Sequence, residues 1–171
     1  MLTIKLFIKN VESILVGGVL MGEYIYKRYE EKYIDKVAKT FIDVFSQDPW
    51  NDRWPSLDKA KEYLKGYIGA PYFRGFLVMN KKEHIIAFSL GDIRKWWSGD
   101  EYMVHEYGVS PSFQGEGFGV AFMDYIQNEL INEGVKGIIL NTGKGTPAEY
   151  FYKKQGFEEN EDNIFLYKIL K

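Results

Sequence analysis

Val109-Ser110-Pro111-Ser112-Phe113-Gln114-Gly115-Glu116-Gly117-Phe118-Gly119-Val120 joins a strand-like run to a helix through a glycine-rich turn. Tyr102 to Val109 reads as the strand, and Phe118, Phe122, Ile126 and Leu130 recur at helical spacing, predicting a helix over about 117–132. Backbone N–H groups at such a helix start point outward and the helix dipole is positive there, so the turn suits an anion such as pyrophosphate. Glycines let phosphate oxygens approach the backbone. Other phosphate motifs fit poorly. The pattern G-x-G-x-x-G needs glycine where Val120 stands, and Gly143-Lys144-Gly145 misses G-K-[ST]. Ala87-Phe88-Ser89-Leu90-Gly91 lacks the first glycine of a serine-hydrolase elbow, and no histidine follows His105 to complete that order. Taken alone, a glycine-rich turn also serves as a flexible helix start.

Working outward from the turn, Glu23 to Tyr29 is aromatic-rich and reads as a strand. Ile34, Val37, Ala38, Phe41, Ile42 and Phe45 predict an amphipathic helix over about 31–46. Asp48-Pro49-Trp50-Asn51-Asp52-Arg53-Trp54-Pro55 is a loop, and Ser56 can cap a second helix that carries Leu57, Ala60, Leu64 and Tyr67 and ends near Gly69. Phe73–Met79, His84–Leu90 and Tyr102–Val109 are strand-like runs separated by short polar turns, which predicts an antiparallel meander. Ile138-Ile139-Leu140 is a short strand, Pro147 opens a helix to Gln155, and Asn163–Leu170 is expected as a last strand. The order β-α-α-β-β-β-α-β-α-β is one α+β domain. Its central sheet is expected to be mixed and mostly antiparallel, flanked by about four helices.

The 171 residues suffice for one domain with a real core, and 46% apolar with 27% charged residues is a globular composition. With no cysteine, the chain has no disulfide, no thiolate metal site and no cysteine nucleophile. His84 and His105 are the only histidines, so no metal site is expected. The net charge of −2 argues against a general polyanion-binding surface, and hence against a nucleic-acid partner.

Gln114-Gly115-Glu116-Gly117-Phe118-Gly119 matches [QR]-x-x-G-x-[GA], and here the chain resembles the GNAT superfamily of N-acetyltransferases, whose acetyl-CoA pyrophosphate motif this is. Tyr107-Gly108-Val109-Ser110-Pro111 looks like that family's fourth strand and its exit. Ala148-Glu149-Tyr150-Phe151-Tyr152-Lys153-Lys154-Gln155-Gly156-Phe157 resembles its A-x-x-x-Y-x-x-x-G-F signature. Gly145 departs from the pattern, standing where many members carry an asparagine that contacts CoA; Asn141 and Thr142 are the substitutes on offer.

The resemblance implies an acetyl-CoA-dependent N-acetyltransferase acting by direct attack of an amine in a ternary complex. CoA would be held by Gly108, Val109, Gln114, Gly115, Gly117, Phe118, Gly119, Val120, Asn141, Thr142 and Tyr152. The Val109 N–H would hold the oxyanion, with Gly108 expected as the bulge residue that splays the strand. Tyr152 takes the family's general-acid position, and His105 and Glu106 are the candidate bases. Strand alternation places His105 with Met103 and Glu101, and Glu106 on the opposite face unless a bulge redirects it. Lys144, Lys153 and Lys154 are either contacts to the CoA 3′-phosphate or solvated surface lysines. Trp50, Trp54, Tyr72, Phe73, Trp96 and Trp97 are expected to wall the acceptor site, where aromatic faces with a nearby Asp52 suit a cationic amine. The Asp-Pro-Trp-Asn-x-x-Trp stretch is similar to a bacterial group that includes aminoglycoside and small-amine acetyltransferases. A small-molecule or peptide amine is the expected partner, with no nucleic acid and no membrane, for a cytoplasmic monomer or homodimer. The alternative is a CoA-binding sensor that has kept the cleft without catalysis.

Residues 1–20 are read as a translated leader or N-terminal extension, and 21–171 as the domain. Lys9 and Glu12 interrupt the apolar start, so it fits neither a membrane span nor a signal peptide. Gly17-Gly18-Val19 can be encoded as GGA-GGU-GUN, which looks like a bacterial ribosome-binding sequence placed before Met21.

Overall fold

The structure, a computed structural model, describes residues 24–170 and the backbone of the short strands within 5–20. Those strands, β1 (Lys5–Ile8), β2 (Val11–Val16) and β3 (Val19–Leu20), pair antiparallel with one another in a separate small sheet. Gly17, Gly18 and Met21, on which the leader reading turns, lie outside the described residues. The chain divides into two compact units, residues 1–141 and 142–171.

The first unit is built on a sheet of five strands in the order β4 (Tyr24–Arg28), β5 (Phe73–Asn80), β6 (Ile85–Arg94), β7 (Glu101–Val109), β8 (Gly137–Leu140). The first four run antiparallel in series, and β8 joins β7 in parallel. A parallel neighbour needs a crossover connection, and α3 (Phe118–Asn132) supplies it.

Helices α1 (Ile34–Phe45) and α2 (Leu57–Ile68) cover one face of the sheet. Val37, Ala38, Phe41 and Val44 of α1 and Ala60 and Leu64 of α2 bury against Leu77, Met79, Ile85, Phe88 and Leu90. Their spacing is the helical period that the sequence displays. Ser56 caps α2, its hydroxyl accepting from the Lys59 N–H at 3.2 Å. The other face packs on α3, where Phe118, Phe122, Ile126 and Leu130 meet Phe76, Val78, Tyr102 and Val104.

The second unit contains α4 (Pro147–Lys154), with Pro147 in its first turn and Thr146 accepting from the Glu149 N–H at 3.3 Å. The expected last strand does not form: residues 163–170 carry no strand, and Ile164, Phe165, Leu166, Tyr167, Ile169 and Leu170 are exposed. Apolar composition makes a strand only where another edge supplies ladder hydrogen bonds, and none is paired to these residues.

Candidate active site

The pairing of β6 with β7 slips by one residue. Leu90 faces Glu106, but Gly91 faces Val104, which leaves His105 as the extra residue of a bulge. Before the bulge, Tyr102 and Val104 pack on the α3 side; after it, Tyr107 and Val109 do. His105 and Glu106 therefore both face α2. The bulge expected at Gly108 is thus three residues earlier. Gly108 answers a different need, since a Cβ there would lie 2.8 Å from the Phe88 ring and 3.2 Å from Val44.

Glu106 is 8% exposed. Tyr63 Oη donates to Glu106 Oε1 at 2.5 Å, and Tyr67 Oη donates to Tyr63 Oη at 2.9 Å. Burial pushes the Glu106 carboxyl up to about 7; the Tyr63 hydrogen bond pulls against that rise, and the charge of Asp52 adds to it. Burial, with the bond to Glu106, also holds the Tyr63 hydroxyl above the usual phenol range. His105 Nε2 meets Asp92 Oδ2, and its ring stacks on Tyr67 with centroids 4.5 Å apart and planes 15° from parallel. A row of rings results: Trp54 lies 5.0 Å from Tyr63, and Tyr63 lies 5.2 Å from Tyr67, which covers His105.

Along its other edge β7 pairs with β8 only from Glu101 to Val104. Beyond that point the edge of β7 is open to residue 109 among the described strands. The Ser110 N–H donates to Ile86 O at 2.8 Å, so antiparallel alternation turns the N–H and C=O of Val109 to the open edge. Gln114 Nε2 reaches that C=O at 2.9 Å. The turn then enters α3 through Gly117, whose φ of 88° and ψ of −3° are left-handed and suit glycine. At Gly115 a side chain would meet nothing within 4 Å. Tyr107 Oη donates to Gly119 O at 2.7 Å and ties the first turn of the helix to β7. Val109 thus turns its N–H to an open edge, and the first turn of α3 presents N–H groups of the kind that can meet phosphates.

The aromatic residues expected at the acceptor side separate into two groups. Trp54 and, beside Phe45 at 5.8 Å, Trp50 lie on the loop after α1, with Asp52 held there by its N–H to Phe45 O at 2.8 Å. Trp96 and Trp97 lie on the β6–β7 turn, 53% and 90% exposed. About 17 Å of strand separate that end of β7 from Glu106. Tyr72, on the turn between α2 and β5, lies under Lys95, and Phe73 packs into the core against Tyr29. The structure brings Trp54 to Glu106 through Tyr63 and does not bring Trp96 or Trp97. Tyr63 and Asp92 escaped the sequence reading, and Tyr67 was expected only on the face of its helix; two tyrosines four apart on one helix were the available signal.

Asn141 ends the first unit, and Thr142 begins the second. Within the second, Tyr152 is buried on α4 between the rings of Phe151 and Phe157. Lys144 pairs with Glu159 and Lys153 with Glu149, while Lys154 is exposed. Among the described residues no group of three His, Asp or Glu side chains is placed to hold a metal ion, and no helix is long and apolar enough to cross a membrane.

The sequence model of the acetyltransferase (GNAT) family matches residues 27–157. AAC(6')-Iy, solved with the bisubstrate analog CoA-S-monomethyl-acetylneamine, is similar with a TM-score of 0.64 at 18% identity, over 86% of this chain and 99% of that one. The aminoglycoside acetyltransferase meta-AAC0020 from an uncultured soil metagenomic sample, solved with sisomicin, is similar with a TM-score of 0.68 at 14% identity, over 88% and 98%. A transcriptional regulator from Bacillus halodurans C-125 is similar with a TM-score of 0.66 at 14% identity, over 85% and 99%. At these identities the likeness is one of fold. No curated protein matches the chain.

Proposed function

The chain belongs to the GNAT acetyltransferase family, and from that premise we propose that it moves an acetyl group from acetyl-CoA to a primary amine of a small molecule or peptide, with Glu106 as base. The observation that carries this reading is a buried carboxylate, hydrogen-bonded by Tyr63, on the same strand as the outward N–H of Val109.

The residues at the turn fit the cofactor: a side chain at Gly115 would meet nothing, Gly117 takes a left-handed conformation at the start of α3, and Val109 turns its N–H to the open edge of β7. Gly108, Val109, Gln114 and residues 115–120 would hold it, joined by Asn141, Thr142 and Tyr152 on the family's pattern. Bound acetyl-CoA supplies an activated acetyl thioester.

The remaining work falls to this chain's own groups. A lysine-like ammonium has a pKa of ~10.4, so it must lose a proton before it can attack. Glu106, poised at about 7, can take that proton at its carboxylate. The Val109 N–H can hold a carbonyl oxygen as negative charge develops there. Tyr152 Oη holds a proton for the leaving side, a role that rests on its place in the signature. His105 is engaged by Asp92 and stacked on Tyr67, which fixes its ring beside Glu106.

The ring row with Asp52 and Asp92 favours a cationic acceptor. The ligands of AAC(6')-Iy and meta-AAC0020 make aminoglycosides the first amines to try, with polyamines next. The fold likeness to a transcriptional regulator supports the second reading, a CoA-binding sensor. An amine screen with acetyl-CoA, reading CoA release, separates the two: turnover supports the enzyme, and CoA binding without turnover supports the sensor. Failure to bind acetyl-CoA in a thermal-shift assay overturns both. The same reading treats residues 1–20 as a leader, so a chain starting at Met21 should keep its fold and turnover.

A further inference from the structure

We propose that Tyr63, backed by Tyr67, is the positioning residue that fixes the Glu106 carboxylate and keeps it ready to accept a proton. This rests on reading Glu106 as the base. The two tyrosines stand four apart on α2, so their side chains share one helix face. The bulge at His105 turns Glu106 toward that face. Without the bulge, alternation would aim Glu106 at α3, away from Tyr63.

The tyrosine rings are already packed. Tyr63 lies 5.7 Å from Phe41 and 5.0 Å from Trp54, and Tyr67 is stacked on His105. Phenylalanine would satisfy those contacts equally well. The hydroxyls therefore add something beyond packing: a directed chain from Tyr67 to Tyr63 to Glu106. A phenol that receives a hydrogen bond becomes a better donor, so Tyr67 strengthens the bond that Tyr63 makes. That bond favours the ionised carboxylate, against burial, which favours the neutral form.

Other charged groups near the carboxylate act differently. Asp52, on the loop after α1, opposes ionisation through space. Asp92 on β6 is occupied by His105, the neighbour of Glu106 on β7. Tyr63 and Tyr67 are the groups that α2 directs at the carboxylate. Tyr63 is thus the partner that counters burial.

The test is a carboxyl NMR titration of the full chain labelled at glutamate, with Glu106→Gln to assign the signal. The Glu106 midpoint should rise by about half a pH unit or more in Tyr63→Phe. Tyr67→Phe should raise it by less, in the same direction. A Tyr63→Phe midpoint equal to or below that of the unmodified chain overturns the proposal. If Tyr63→Phe does not fold, the half-buried Tyr67→Phe decides: a rise supports the chain of hydroxyls, and no rise overturns it. The base reading fails separately, by Glu106→Gln transferring acetyl at the full rate, while the titration would still report whether Tyr63 holds the carboxylate.

Discussion

His105 and Glu106 are adjacent in sequence and share one face of β7. A regular strand would send them to opposite faces. The single extra residue places both under α2, one against Tyr67 and Asp92, the other against Tyr63. It sets two ionisable side chains next to each other, with distinct partners.

If Glu106 is the base, kcat/KM for acetyl transfer should rise with pH through about 7, as the carboxyl ionises. Glu106→Gln should lower turnover by roughly 10²-fold or more and leave acetyl-CoA affinity unchanged. Steady-state kinetics over the pH range, paired with cofactor titration, measures both. Full turnover in the glutamine variant would move the role to His105 or to water.

Burial of Glu106 also costs stability, with a definite sign. Its carboxyl titrates near 4.5 in the unfolded chain and about 7 in the fold. Between those values the folded state holds the extra proton, so stability from this group is fullest below about 4.5 and falls as pH rises to about 7. Glu106→Gln should therefore gain stability over the unmodified chain between about pH 4 and pH 8, by about 3 kcal/mol or less. Urea midpoints at the two pH values check it; a constant difference would mean that the carboxylate is not destabilised in the fold.

Tyr152→Phe keeps the ring that packs with Phe151 and Phe157 and removes only the hydroxyl. Turnover should fall by about tenfold or more with acetyl-CoA affinity nearly unchanged. Unaltered turnover would end its role as acid.

Gly117→Asp places a carboxylate at the N-cap of α3, where the phosphates are expected. Acetyl-CoA binding should weaken by about a hundredfold or more, with the helical circular dichroism retained. Retained affinity in a folded variant would mean that the turn serves another purpose.

Gly108→Ala should destabilise the first unit by about 1–3 kcal/mol, because the new methyl meets the Phe88 ring at 2.8 Å. A thermal melt reads it, and an unchanged Tm would show that Phe88 gives way freely.

Much of the architecture was legible in the residues. The apolar period of 34–45 and 118–130 marked helices, Ser56 and Pro147 marked helix starts, and three strand-like runs with short turns marked a meander. These are local signals, written within one element. The end of the chain misled for the opposite reason: 163–170 has the composition of a strand, but a strand is made by its neighbour. The tryptophans of the β6–β7 turn show the same limit, since residue type says nothing of which end of a strand a turn occupies.

The sequence by itself determined the glycine-rich turn that matches the family's motif, the helix that follows it and the adjacent pair, His105 and Glu106, that are candidates for the base. Those depend on short-range spacing and on chemistry carried by the residues themselves. The different surroundings of these two candidates come from the tertiary structure. The slip between Leu90 and Gly91 is a property of two paired strands, and it alone turns Glu106 toward Tyr63. Burial then supplies what no carboxylate has in isolation, an affinity for protons matched to neutral pH.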